Sequence, residues 1–210
     1  MKKNVKSIQN FFKNYEIWMY VSVPVLLYGI VDWWYGFTSI WYITGTFCIV
    51  AGLTGIILFD CLRIKTDEFD RYLRGRIDRA KGAGLFEAED TFLAYVVENA
   101  GKIKVGGDGK VRADVCYETA LKVDRSTLRI ESYCVHLLTE ETDCFAADFP
   151  MPGIKAKQET VDYNDGKRTW RQCYLTLTAA DGRSYRFPVP YNSSDVDQFV
   201  DRLNRYNQAR

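Results

Sequence analysis

Histidine is all but missing from this chain. His136 is the single one in 210 residues, and it sits on a strand-like run between Val135 and Leu137. H-E-x-x-H, G-x-S-x-G, Walker A and G-x-G-x-x-G patterns are missing too, which removes the usual signatures of zinc peptidases, serine hydrolases and nucleotide-binding enzymes. The run GGDGK (106–110) starts like a phosphate loop but has neither its spacing nor its following Ser/Thr. Six cysteines occur, Cys48, Cys61, Cys116, Cys134, Cys144 and Cys173, and none forms C-x-x-C, so zinc-ribbon and thioredoxin-like chemistry have no support. Carboxylates are plentiful, yet no pair is set apart by an apolar context. Asp143 and Asp148 flank an apolar strand, where such groups are normally solvated. No catalytic residue, cofactor or metal ligand is therefore expected, and an enzyme is not the expected class.

Charge is missing from one long stretch. Ser39 to Phe59 holds no Asp, Glu, Lys or Arg, and Ile17 to Trp34 holds only Asp32. A bilayer core of about 30 Å takes some 20 helical residues, so these are read as two membrane-spanning helices joined by a turn at Tyr35 to Thr38. Asp32 lies beside Trp33, Trp34 and Tyr35, as interfacial residues do. It is expected as a solvated carboxylate of the turn rather than an acid inside the membrane. Pro24 is expected to bend the first helix. Thr44, Cys48, Ala51, Gly52 and Gly55 recur near helical spacing and mark a face where another helix can approach closely, the first span before a second copy.

Lys and Arg are also missing from the turn, while Lys2, Lys3, Lys6 and Lys13 precede the hairpin and Arg63, Lys65, Arg71, Arg74, Arg76, Arg79 and Lys81 follow it. Both termini are thus expected in the cytoplasm of a two-span protein of the cell membrane. A cleaved signal peptide fits poorly, with no A-x-A-like site and a second apolar run at once. The net charge of +1 hides a contrast: residues 1–84 carry 11 Lys/Arg against 7 Asp/Glu, and residues 85–210 carry 17 against 20. A basic juxtamembrane part suits an anionic inner leaflet. A nucleic-acid binder would concentrate its basic charge on one face.

Four segments follow. Residues 1–16 form a basic tail with Phe11, Phe12 and Tyr15, read as an interfacial anchor. Residues 17–59 are the hairpin. Residues 60–84 hold an amphipathic helix with Leu62, Phe69, Leu73, Ile77 and Ala80 on one face, continuous with the second span and broken at Gly82-Ala83-Gly84. Residues 85–210 form one domain, in which the hydrophobic period shifts to two. Strands are predicted at 92–99, 102–105, 111–123, 127–138, 144–149, 154–163, 168–179 and 184–189, about seven when short pieces merge. Turns are expected at GGDG (106–109), Pro150 with Pro152-Gly153, Asn164-Asp165-Gly166-Lys167 and Asp181-Gly182. Ser194 and Asp197 read as a capping box opening a last helix, whose stripe Val196, Phe199, Val200, Leu203 and Tyr206 should cover an open end of the strand assembly.

This order resembles the pleckstrin-homology (PH)-type barrel: about seven antiparallel strands capped by one C-terminal amphipathic helix. The ending YLTLTAADGRSYRFPVPYNSSDVDQFVDRLNRYN (174–207) is similar to that of bacterial PH-like domains, and a two-helix hairpin before such a domain also occurs among bacterial membrane proteins. The resemblance covers residues 15–207 and rests on order and pattern. It implies a membrane hairpin plus an α+β cytoplasmic domain, acting as a scaffold or sensing module. Lys104, Lys110 and Arg112, with Lys102 nearby, fit the K-x(n)-K/R-x-R pattern by which some PH domains hold anionic headgroups. Two functions follow as expectations. One is a non-enzymatic interaction protein binding a protein partner or its own copy. The other is an anionic-lipid sensor using Lys102, Lys104, Lys110 and Arg112. No nucleic-acid partner is expected, and the sequence does not identify a small-molecule ligand.

Overall fold

The computed structural model describes residues 5–13, 15–36, 39–82, 87–98, 100–106, 108–139, 141–151, 153–164 and 168–208. Lys2 and Lys3, the turn centre at Phe37-Thr38, Ala83-Gly84, Gly107, Pro152 and the 165–167 part of the expected hairpin turn lie outside them. The chain divides into two compact units, Met1–Phe69 and Asp70–Arg210.

In the first unit, helix α1 spans Val5–Phe12, α2 Glu16–Tyr35 and α3 Ser39–Leu62. The expected tail is thus helical over Val5–Phe12. Phe11 is buried and stacks on Phe69 at 4.1 Å, so it packs in its own unit as well as being amphipathic. Helices α2 and α3 are long and apolar enough to cross a membrane, by length and composition. They pack through small side chains. A Cβ on Gly52 would meet the Leu26 backbone at 2.8 Å, and one on Gly45 the Trp33 nitrogen at 2.8 Å. One on Gly29 would meet the Ile49 nitrogen at 2.7 Å. The seam on α3 is Gly45, Cys48, Gly52 and Gly55, at steps of three, four and three. Of the expected face, Gly52 and Gly55 are buried and Cys48 is half-buried, but Ala51 faces outward.

Asp32 corrects an expectation. It lies inside α2, is only 6% exposed, and accepts a hydrogen bond of 2.6 Å from the Thr44 hydroxyl. The neighbouring tryptophans suggested an aqueous turn, but α2 runs three residues further and turns Asp32 toward α3. The large apolar side chains point outward instead: Tyr20, Ile40 and Phe47 are each more than two-thirds exposed.

Helix α4, Thr66–Lys81, is separate from α3. The expected continuous helix is broken at Arg63–Lys65, where Ile64 turns inward and the Lys65 carbonyl accepts the Glu68 and Phe69 amides. In the second unit, Leu73 and Ile77 on α4 are buried, as the stripe requires. Arg76 donates to Thr142, and Lys81 pairs with Glu118.

The described residues hold nine strands, all antiparallel: β1 Asp90–Tyr95, β2 Ile103–Val105, β3 Val111–Ala113, β4 Val115–Val123, β5 Thr127–His136, β6 Thr142–Pro150, β7 Lys155–Asn164, β8 Thr169–Thr178 and β9 Ser184–Val189. They form three sheets, ordered β1-β4-β5-β6, β2-β3 and β7-β8-β9. Among the described residues no ladder joins these sheets, so the expected closed barrel is corrected to an open α+β assembly. One reason is local. The predicted strand 111–123 splits at Asp114, whose amide donates to the Lys102 carbonyl and whose carbonyl accepts from the Leu137 amide. The chain thereby passes from the small hairpin into the large sheet.

The core lies between the two larger sheets. Leu121, Leu128, Ile130 and Phe149 meet Leu175, Leu177, Phe187 and Val189. Helix α5, Ser194–Gln208, covers it with Val196, Phe199 and Leu203, all fully buried. Phe199 meets Phe92 edge-on at 5.8 Å, and Arg202 pairs with Asp90. Asn207 closes the end by donating to the Ile154 carbonyl at 2.6 Å. The capping box is not used as expected. The Ser193 carbonyl accepts the Asp197 amide, placing the cap one residue earlier, and the Ser194 hydroxyl turns to Asp195.

Candidate functional site

A groove of about 1080 Å³ opens on the second unit. Its walls are the middle of α4, the end of β1, the β3 turn, the first half of β8 and the segment after β9. It arises where pairing runs short. β8 is paired to β7 along its whole length, from Thr169 to Thr178, but β9 matches it only from Cys173 onward. Thr169–Gln172 therefore reach beyond β9, whose continuation, Pro190-Tyr191, lines the same groove. Buried Gln172 bridges the gap: its side-chain carbonyl accepts the Val97 amide and its NH2 donates to the Cys173 carbonyl.

One end of the groove is closed by an ionic cluster. Arg112 on β3 is 3% exposed. Its Nε and Nη2 donate to the two oxygens of Asp70 at 2.8 and 2.7 Å. Nη1 and Nη2 donate to Asp108 at 2.8 and 2.9 Å, and Nη1 also reaches the Lys110 carbonyl at 3.3 Å. Those contacts occupy all five guanidinium N–H groups. The Tyr95 hydroxyl adds a bond to Asp70 at 3.3 Å. The hydrogen bonds from Arg112 hold the Asp108 carboxyl well below the usual range. Bonding to Asp70 and then Asp108 raises the Arg112 guanidinium further above its ordinary value, and burial pushes the Tyr95 phenol up.

The expected headgroup cluster is thereby divided. Lys102 and Lys110 are exposed and Lys104 is half-buried. Arg112 stands opposite Lys104 in the hairpin register, yet it is turned inward onto two carboxylates and has no donor left for a phosphate. The pattern signalled basic residues correctly, but it carried no sign of Asp70, which arrives from a helix 42 residues away.

The opposite rim is cationic and aromatic. Arg171 pairs with Asp162 at 3.3 Å and donates to the Tyr191 hydroxyl at 3.2 Å, the contact that chiefly raises its pKa. Trp170 and Tyr191 are the large flat side chains there, while Arg74 and Lys110, the other exposed cations of the lining, stand beside the ionic cluster. Such a lining offers surface, charge and hydrogen bonds. No protein-family model, curated protein or solved structure matches this chain.

The groove is not legible in the sequence, because its residues come from five separate stretches. The metal-ligating side chains that do cluster among the described residues, Cys134, His136 and Asp143, lie elsewhere, at the β5–β6 end.

Proposed function

We propose that this chain is a membrane-anchored, non-enzymatic interaction protein. In this reading α2 and α3 cross the cell membrane, both termini are cytoplasmic, and the second unit is a PH-like module. Its groove takes an extended, acidic segment of a partner protein. Support for the anchor comes from the hairpin's inverted surface, with glycines inside and large apolar side chains outside. Support for the module comes from its order of antiparallel strands followed by a core-covering helix.

The overhang of β8 carries the proposal for the groove. A segment lying beside Thr169–Gln172 would continue the line that β9 abandons at Val189, the geometry of strand addition. Arg74, Lys110 and Arg171 at the rim favour carboxylates on that segment. The test is site-specific photo-crosslinking of the full chain in its native membrane, with the reactive group at Tyr191 and, as control, at Tyr206. An adduct from Tyr191 that maps to an acidic segment and disappears with Arg171→Glu supports the reading. An adduct to a second copy would change the partner, and no adduct from Tyr191 above the Tyr206 control would sink it.

The exposed Lys102 and Lys110 on the β2–β3 hairpin favour a second reading, in which this hairpin contacts anionic lipid. Lys104 adds to it, and Arg112 does not. The second unit, residues 70–210, binding neutral and anionic vesicles alike would remove it.

A further inference from the structure

β5 ends in Cys134-Val135-His136, and residues two apart on a strand share a face. Cys134 stands directly opposite Asp143 on β6, so the three side chains project from one side of the sheet. Cys134 is 5% exposed, while Asp143 is 81% exposed and free to swing. The Cys134 sulfur lies 3.5 Å from His136 Nε2, which lies 3.9 Å from Asp143 Oδ2, and all three ligand atoms fall within 4.8 Å of one another. A tetrahedral zinc ion, with sulfur at about 2.3 Å and imidazole nitrogen at about 2.05 Å, holds those two atoms about 3.5 Å apart. The oxygen needs to approach the nitrogen by only about half an ångström, a small torsion for an exposed Asp.

We propose that Cys134 Sγ, His136 Nε2 and an Asp143 carboxylate oxygen bind one zinc ion, with water in the fourth position. Thiolate and carboxylate together balance the double charge of the ion. The thiol releases one proton to solvent as the sulfur–metal bond forms, and the imidazole binds in its neutral form. Because the thiol must lose its proton to bind, proton and metal compete and uptake strengthens with pH. The Tyr117 phenol, on the neighbouring strand, lies against the same sulfur and supplies an outer-shell partner. The thiolate and imidazole favour zinc over magnesium or calcium. The ion would fasten the exposed edge strand β6 to the end of β5.

The experiment is equilibrium dialysis of the purified full chain in micelles against zinc chloride, followed by elemental analysis, with cobalt substitution as a second readout. One zinc per chain is expected, together with a thiolate-to-cobalt charge-transfer band. Cys134→Ser and His136→Gln should each weaken uptake by at least the about 10–100-fold typical of losing even an outer-shell partner, and Cys134→Ser should abolish the band. Asp143→Asn, at an exposed position, tests the site without threatening the fold. A Cys61→Ser/Cys144→Ser chain, which lacks the two exposed thiols, should keep both signals. Failure to take up one equivalent, uptake unchanged in His136→Gln and Asp143→Asn, or a band lost with Cys61 and Cys144 would overturn the site.

Discussion

Replacing Arg112 by Met should destabilise the second unit while leaving any lipid contact of the β2–β3 hairpin intact. Methionine fills much of the space of the arginine stem and removes the charge. Asp70 and Asp108 then face each other without the guanidinium that separates them. Breaking a buried ion pair on one side costs about 3–5 kcal/mol. Here the two carboxylates are 35% and 37% exposed, so water recovers part of that, and about 2 kcal/mol is expected. For a unit of this size that is a fall in melting temperature of about 6 °C. The assay is thermal unfolding of the full chain in micelles, followed by far-ultraviolet circular dichroism at the strand signal, which the second unit supplies. Asp70→Asn and Asp108→Asn added to Arg112→Met remove the unpaired charges and should recover at least half of the loss. A melting temperature within about 1 °C of the parent for Arg112→Met, or a triple variant less stable than the single one, would refute the assignment of Arg112 as an internal tie.

Gly52→Leu should separate α2 from α3, since its Cβ meets backbone atoms of Leu26 that cannot swing away; cysteine pairs placed across the two helices would lose their cross-linking. Gly75→Ala should do the opposite on α4: nothing lies within 4 Å of the added Cβ, and relief of the glycine cost predicts a gain of about 0.5–1 kcal/mol, measured by thermal unfolding. Acid should destabilise the second unit. Glu98 is held below its usual pKa by hydrogen bonds from Tyr174 and Tyr163, and Asp108 by Arg112. Their contribution is complete above the ordinary carboxylate range, about pH 4, and is lost as pH falls through their lower folded values. Carboxyl-carbon NMR should show Glu98 titrating higher in Tyr174→Phe, and an unchanged titration would contradict that hydrogen bond.

What the sequence made legible was periodic. The apolar runs set α2 and α3, alternation set β5 and β8, and the stripe Val196–Phe199–Leu203 set α5 with its buried face. What it left unreadable depended on distance or on one-residue detail. Asp32 was placed in a turn because aromatic neighbours resemble an interface, and only the helical rotation that brings it to Thr44 says otherwise. Gly29 and Gly45 complete the same seam as Gly52 and Gly55, but a glycine's packing value depends on the helix opposite, which the sequence does not show. By itself His136 is a solitary histidine on a strand. The spacing Cys-x-His on one strand was visible, but Asp143 joins it only through the β5–β6 register.

The break between the sheets, the groove and the buried arginine have one origin in this chain. If residues 111–123 ran as a single strand, Arg112 would continue the ladder and stand at a solvated tip. The exchange of partners at Asp114 instead lifts β2 and β3 out as a separate hairpin, and Arg112 is carried against Asp70. That leaves β1 bordered by β4 on one side and by the end of the β8–β9 sheet on the other, without a ladder between them among the described residues. Gln172 fastens this opening through the Val97 amide, beside the bond from the Tyr174 hydroxyl to Glu98. A side chain that stands in for missing backbone pairing is a specific dependency. Gln172→Leu keeps the bulk but leaves the Val97 amide unmet inside the unit, a loss of about 1–3 kcal/mol. The same substitution loosens the wall on which the β8 overhang rests. If Tyr191 cross-linking reports a partner in that groove, Gln172→Leu should therefore weaken it without touching any rim charge; cross-linking at full strength with Val97 no more open to hydrogen exchange would mean the groove does not depend on this tie.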